Sequence, residues 1–204
     1  MFNAAGVFYT GGFSVGEAVG DFNADGKLDV VMASSGVNAN SSQVSGVTVS
    51  LGNGDGTFTL ASGSPIPLGQ SLSAIVTADF NGDGKLDLAV TDSVGNAVLI
   101  LLGNGDGTFG APTTIAVGNG PDAIIAADFN NDVKLDLAVA NYGDGTITLL
   151  LGNGDGTFTQ ASGSPYTVAQ YPYQISAADF NGDGKLDLAT ANLSDGTVSI
   201  LLQQ

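Results

Sequence analysis

The sharpest hydrophobic pattern lies between residues 74 and 117. Residues 74–80 (AIVTADF) form a short apolar run. Residues 86–91 (LDLAVT) then alternate, Leu86, Leu88 and Val90 against Asp87, Ala89 and Thr91. A period of two is that of a strand with one face toward a core. Residues 97–102 (AVLILL) are apolar throughout and bounded by turn residues, as suits a strand buried on both faces. The following GNGDG, at 103–107, is a hairpin signal, because Asn-Gly and Asp-Gly supply the positive φ of tight turns. Residues 108–117 make a fourth, more irregular strand. No helical periodicity intervenes, so the segment predicts four antiparallel strands, A to D.

That unit recurs. An acidic loop between strands A and B appears as DFNADGKLD at 21–29, DFNGDGKLD at 79–87, DFNNDVKLD at 128–136 and DFNGDGKLD at 179–187. The starts lie 58, 49 and 51 residues apart, giving units at roughly 13–65, 72–117, 121–168 and 172–202. Four strands per ~50 residues predict an all-β fold, a β-propeller of four-stranded antiparallel blades. Parallel solenoids have shorter, more uniform coils. Phe22, Phe80, Phe129 and Phe180, with Phe58, Phe109 and Phe158, are expected between blades. Residues 1–12 resemble a strand D, with Phe2 in the register of Phe109 and Phe158, whereas the chain stops after a strand C at 196–202. The N-terminal strand is therefore expected to complete the last blade, making residues 1–204 one propeller domain without an exposed sheet edge.

Composition narrows the functions. The chain has 204 residues and a net charge of −16, and its four basic residues (Lys27, Lys85, Lys134, Lys185) all occupy position 7 of the loops. Such a surface repels phosphate backbones and anionic headgroups, so nucleic acid and membrane surfaces are not expected partners. No apolar stretch approaches the ~20 residues of a membrane helix. MFNAAGVFYTGG carries no basic leader or long apolar segment, and nothing in it reads as a signal peptide. With no Cys, no His and one Glu, acid–base or nucleophilic catalysis would need an Asp pair, and the Asp residues are committed to loops and turns. A non-enzymatic protein is expected. Few basic residues with abundant Ser, Thr, Asn and Gly suit an exported bacterial protein, extracellular or at the cell surface.

Each loop places side-chain oxygens at positions 1, 3, 5 and 9, with Gly at position 6 in three of the four. Calcium takes six to eight hard oxygen donors at ~2.3–2.6 Å, and a tight loop can turn alternate Asp and Asn inward. Position 7 would give its carbonyl while the Lys ammonium points away. Magnesium fits less well, being strictly octahedral and reluctant to shed water. Asp/Asn-rich turns alone would not require this full oxygen set four times at matched positions.

DFNxDGxxD followed by the LDLAV strand and an apolar strand C resembles the FG-GAP/VCBS repeat family, the calcium-bearing blades of integrin α-subunit-like propellers. The resemblance spans nearly the whole chain and implies one calcium per A–B loop. The implied ligands are Asp21, Asn23, Asp25, the Lys27 carbonyl and Asp29 in the first unit, and Asp79, Asn81, Asp83, Lys85 and Asp87 in the second. They are Asp128, Asn130, Asp132, Lys134 and Asp136 in the third, and Asp179, Asn181, Asp183, Lys185 and Asp187 in the fourth. Val133 replaces the position-6 Gly, so the third site is expected to be the weakest, by roughly 1 kcal/mol of backbone strain. The family's usual ring has seven blades, whereas four units occur here.

Strand direction places the A–B loops and GNGDG turns on one face and the B–C and D–A connections on the other. On that second face, an Asn/Ser-rich insertion at 37–45 and the aromatic set Tyr166, Tyr171 and Tyr173 distinguish individual units. The tyrosines are candidate sugar contacts, with packing over the ring mouth as the plainer alternative. The expected function is a calcium-stabilised binding or adhesion module for a glycan or protein. The alternative is a structural subunit whose N-terminal strand acts in a neighbouring copy, building a filament or an eight-bladed dimer.

Overall fold

A computed structural model describes residues 13–36 and 45–204. It is all-β: among the described residues there is no helix, and 17 strands form four antiparallel sheets in sequence order. The first sheet contains β1 (Phe13–Gly20), β2 (Asp29–Ser35), β3 (Gly46–Gly52), β4 (Phe58–Leu60) and β5 (Ile66–Pro67). The second contains β6 (Leu72–Ala78), β7 (Asp87–Asp92), β8 (Ala97–Leu101) and β9 (Thr113–Ala116). The third comprises β10 (Pro121–Ala127), β11 (Asp136–Asn141), β12 (Thr146–Gly152), β13 (Phe158–Gln160) and β14 (Tyr166–Thr167). The fourth holds β15 (Pro172–Ala178), β16 (Asp187–Asn192) and β17 (Thr197–Leu201). These are blades 1 to 4. Within each, the strands pair in chain order from the innermost outward, with β5 and β14 sharing the outer edge of β3 and β12, so every blade is an up-and-down meander.

Strands A, B and C fall where the pattern puts them, but strand D departs from expectation in blades 1 and 3. There the outer edge is split: β4 pairs with the end of β3 and β5 with its beginning, and β13 and β14 divide β12 likewise. The sequence ASGSP causes the break in both (61–65 and 161–165). Its serine hydroxyl takes over as a ladder partner, Ser64 Oγ accepting from Val49 N–H at 2.7 Å and Ser164 Oγ from Leu149 N–H at 2.9 Å. In blade 2 the outer strand is one piece, shorter than predicted, with a single bridge between Gly103 and Phe109 before it.

The core lies between blades. Val47 and Val49 of blade 1 pack with Leu88 and Val90 of blade 2, and Val98 and Ile100 of blade 2 with Leu137 and Val139 of blade 3. The innermost strands pack in a row, β1 on β6, β6 on β10 and β10 on β15; no comparable packing joins β15 to β1. Among the described residues the array is therefore open, and blade 4 has three strands. The expected closing strand, 1–12, and most of the insertion at 37–45 lie outside the described residues.

Candidate metal-loop face

All four acidic loops adopt one backbone form. Positions 4 and 6 have positive φ throughout: Ala24 and Gly26, Gly82 and Gly84, Asn131 and Val133, Gly182 and Gly184. This turns successive amides toward the first aspartate. Asp79 Oδ2 accepts from Gly84 N–H at 2.8 Å, and its Oδ1 accepts from Gly82 and Asp83 N–H. The position-5 amide is also held by position 3, and the position-7 amide by position 5, as in Asp83 N–H to Asn81 Oδ1 and Lys85 N–H to Asp83 Oδ1, both 2.9 Å. Val133 obeys the same geometry, donating to Asp128 Oδ2 at 2.8 Å with φ +69° and its side chain 93% exposed. A β-branched residue in that region is strained. That angle is the backbone condition on which the expected strain of the third loop rests.

Position 9 also clamps the backbone. Asp29, Asp87, Asp136 and Asp187 are buried. Asp87 spends both oxygens on backbone amides: Oδ2 accepts from Phe80 N–H at 2.9 Å and Oδ1 from Gly103 N–H at 2.8 Å. The same clamp joins Asp29 to Phe22 and Gly52, Asp136 to Phe129 and Gly152, and Asp187 to Phe180 and Gln203. In blades 1 to 3 it ties the A–B loop to the start of the C–D turn, so both lie on one face, as strand direction requires; in blade 4 it ties the loop to the chain just after strand C.

The lysines differ from the sequence-based expectation. Lys27 Nζ lies 3.1 Å from Asp25 and Lys85 Nζ 3.5 Å from Asp83, so these ammonium groups return to their own loops. Their stems lie over the C–D turn glycines: a Cβ at Gly54 would meet Lys27 Cδ at 3.1 Å, and Lys134 covers Gly154 the same way. The cation thus sits between two acidic loops. Within each turn a Thr hydroxyl and amide (Thr57, Thr108, Thr157) hold Asp55, Asp106 and Asp155 below the ordinary carboxylate pKa.

Electrostatics and donor chemistry fit a hard cation. Burial pushes the carboxyl of Asp87 up, and the like charges of Asp83 and Asp79 add to it; Asp136 is raised by burial and by Asp132 and Asp128. Backbone amides act oppositely on the exposed carboxylates, lowering Asp25 through Lys27, Asp83 through Lys85 and Asp179 through Gly184. Among the described residues no three acidic side chains converge on one point. The donors instead follow the loop as an Asp, Asn, Asp series of oxygens. Such a set suits an ion that takes side-chain amides and main-chain carbonyls along with carboxylates.

The tyrosines do not form the expected cluster. Tyr166 lies on the outer strand β14, opposite Ile147, with its hydroxyl donating to Ser162 O. Tyr171 stacks on Tyr142 instead, ring centroids 4.7 Å apart at 29°. Tyr173 lines a central cavity of about 190 Å³ with Asp122, Gln174 and Ser73, and burial raises the Asp122 carboxyl. Tyr142 follows strand B of blade 3, and its pairing with Tyr171 across a D–A connection carried no signal in the linear pattern.

An all-β array with four copies of this loop defines a repeat protein of propeller-like blades. The FG-GAP-like repeat matches residues 21–90, 79–139 and 128–190, and the chain belongs to this family. No curated protein sequence matches. Among solved structures, a functionally unknown protein from Desulfotomaculum acetoxidans is 16% identical at a TM-score of 0.62, over 93% of this chain and 55% of that one. An Agrocybe aegerita lectin that recognises non-reducing terminal N-acetylglucosamine is 23% identical, TM-score 0.57, over 89% and 50%. BBS1N, solved in complex with ARL6DN, is 15% identical, TM-score 0.61, over 95% and 58%. This chain thus spans between half and three-fifths of their length. The likeness is one of fold.

Proposed function

We propose that the chain is a calcium-stabilised, non-catalytic, extracellular β-propeller segment that presents the face opposite its acidic loops to a glycan or protein. Four loops of identical backbone form on one face carry the reading. The first, third, fifth and ninth residues of each loop, with the position-7 carbonyl, would hold the ion. Calcium there would neutralise clustered carboxylates and tie strand A to strand B. The opposite face is then free for recognition. It carries the stacked Tyr142 and Tyr171, a flat aromatic surface suited to a sugar ring, and beside it the cavity of Tyr173 and Asp122. Tyr166, on the outer edge, is the least favoured of the three proposed contacts. A lectin and a protein-complexed domain among the similar folds lend support to either ligand class.

Two measurements test it. Calorimetric titration of the chelator-stripped chain should reveal calcium sites approaching one per loop; no calcium heat would remove the metal from the reading. A glycan array should then yield a hit that Tyr171→Ala weakens at least tenfold while the melting temperature holds. Binding unchanged in that variant would exclude the aromatic surface.

A further inference from the structure

Bonds from turn to loop fix the order of the blades at their junctions: Gly107 N–H donates to Phe22 O at 2.9 Å and Gly156 N–H to Phe80 O at 3.1 Å. The innermost strands thus stand side by side, and each carries a β-bulge at the same place. The register slips between Ser14 and Gly16 in β1, Leu72 and Ile75 in β6, Pro121 and Ala123 in β10, and Pro172 and Gln174 in β15. A bulge leaves its extra residue unpaired and re-aims the side chain. Val15, Ser73, Asp122 and Tyr173 are released in this way, and all four line the central cavity of about 190 Å³.

Among them Asp122 is chemically unfinished. The Ser73 hydroxyl is spent on Pro121 O at 2.6 Å. Other carboxylates on this face are committed too: Asp92 accepts from Gln70 and Ser71 N–H, both at 2.9 Å, and Asp144 from Asn119 N–H at 2.6 Å. The half-buried Asp122 carboxylate has no hydrogen bond or ion pair among the described residues. All four lysines belong to the acidic loops, and β10 separates Asp122 from its own loop by about 20 Å of strand. An unpaired anion in a recess, on a chain of net charge −16, favours a cation from outside.

The aromatic stack adjoins this recess. Gly120 O and Tyr171 O accept the same bond in successive blades, from Tyr142 and Leu193 N–H, both at 2.9 Å. Gly120 and Tyr171 stand two residues before Asp122 and Tyr173, a reach of at most ~7 Å of chain. Their φ values are +62° and +58°. Blade 3 fills this left-handed position with glycine, whereas blade 4 holds a strained tyrosine there, and strain of that kind gathers at ligand sites. The cavity is smaller than the ~300 Å³ of a pocket for a whole small molecule, so it takes one substituent while the remainder lies outside on the rings.

We propose that this mouth binds an amino sugar with a free amine, its ring on Tyr142 and Tyr171 and its ammonium in the recess at Asp122. This rests on the glycan reading and narrows it. The ammonium completes the carboxylate through a charge-assisted bond, roughly twice as strong as a neutral one, and the Tyr173 ring adds a cation–π face. An N-acetylated sugar brings no charge to Asp122 and a bulkier group to the cavity.

Calorimetric titration with a glucosamine trimer and with its fully N-acetylated counterpart tests it, at physiological ionic strength to screen the acidic surface. The free-amine trimer should bind at least tenfold more tightly. Asp122→Asn should abolish that preference and spare the N-acetylated trimer, whereas Asp195→Asn, an equal loss of charge on an exposed turn of the same face, should preserve it. Tyr171→Gly should weaken both trimers at least tenfold while the melting temperature holds or rises, because the strain leaves with the side chain. Equal affinity for the two trimers overturns the proposal and leaves the glycan reading standing, as does a preference that survives Asp122→Asn. Binding unchanged in Tyr171→Gly overturns the placement of the ring. If neither trimer binds, the proposal fails and the glycan array decides the wider reading. A lysine-rich peptide bound as tightly as the free-amine trimer would assign the recess to protein amines and overturn the sugar.

Discussion

Blades 2 and 4 carry the same nine-residue loop, DFNGDGKLD, yet Phe80 is 4% exposed and Phe180 is 48% exposed. The backbones are alike: φ is +74° and +81° at Gly82 and Gly84, and +78° and +85° at Gly182 and Gly184. Both ninth-position aspartates clamp the phenylalanine amide and the end of strand C. What differs is the neighbour. Phe80 meets Phe158 of blade 3 with ring centroids 5.6 Å apart, an interaction with no counterpart at Phe180 among the described residues. The loop folds by local bonds, and the burial of its phenylalanine is conferred by the next blade.

Calcium removal is the broadest challenge to this comparison. If the loops fold locally, loops 2 and 4 should bind alike despite unequal burial. At a hundredfold excess over the dissociation constant each filled site adds about 2.7 kcal/mol. Chelation should therefore depress the melting temperature strongly, and Asp83→Ala and Asp183→Ala should each lose one site by calorimetry. An unchanged melt would sink the metal assignment. Phe80→Ala comes next, with an expected loss of about 3–5 kcal/mol in urea unfolding. Phe180→Ala should stay within about 0.5 kcal/mol. Equal losses would mean that the neighbour does not matter.

Val133→Gly probes the third loop by the same logic. Relief of a positive φ should raise the unfolding free energy by about 1 kcal/mol and tighten that site; no gain in either would refute strain as the cause. The smallest effect is that of pH on the chelated chain. Asp87 and Asp136 have raised folded-state pKa values, so each binds its proton more tightly when folded and gains stability as pH falls through that value. Asp55, Asp106 and Asp155 are lowered, so their contribution is present above 3.8 and lost below it. A melting temperature that rises on mild acidification and declines below about pH 4 is expected, and a monotonic fall from neutral pH would contradict the Asp87 assignment.

Much of this was legible in the sequence because its determinants are local. Alternation in 86–91 and the apolar run 97–102 mark strands B and C, and the spacing of Asp, Asn and Asp fixes the loop. What escaped depends on chain crossings. Tyr166 and Tyr171 are near in sequence, but the connection between them runs from the outermost strand of blade 3 to the innermost of blade 4, which separates them. The same crossing brings Tyr171 to Tyr142. The path of the position-7 side chain has a related cause: Lys85 meets Gly105 where Asp87 draws the loop and turn together. The ASGSP break required knowing that a serine hydroxyl could replace a ladder partner.

The junction bond from a turn glycine to a loop phenylalanine carbonyl has an evolutionary corollary. Blades 2 and 3 each bring one such donor, Gly107 N–H to Phe22 O and Gly156 N–H to Phe80 O, and one acceptor, so a unit of this kind can be duplicated or lost while every remaining seam finds its counterpart. No residue in any blade counts the others. Repeat number can then drift by unequal recombination, as it does in linear arrays whose units recognise only adjacent units. Selection would then act on the number of units, long after the form of each had been settled.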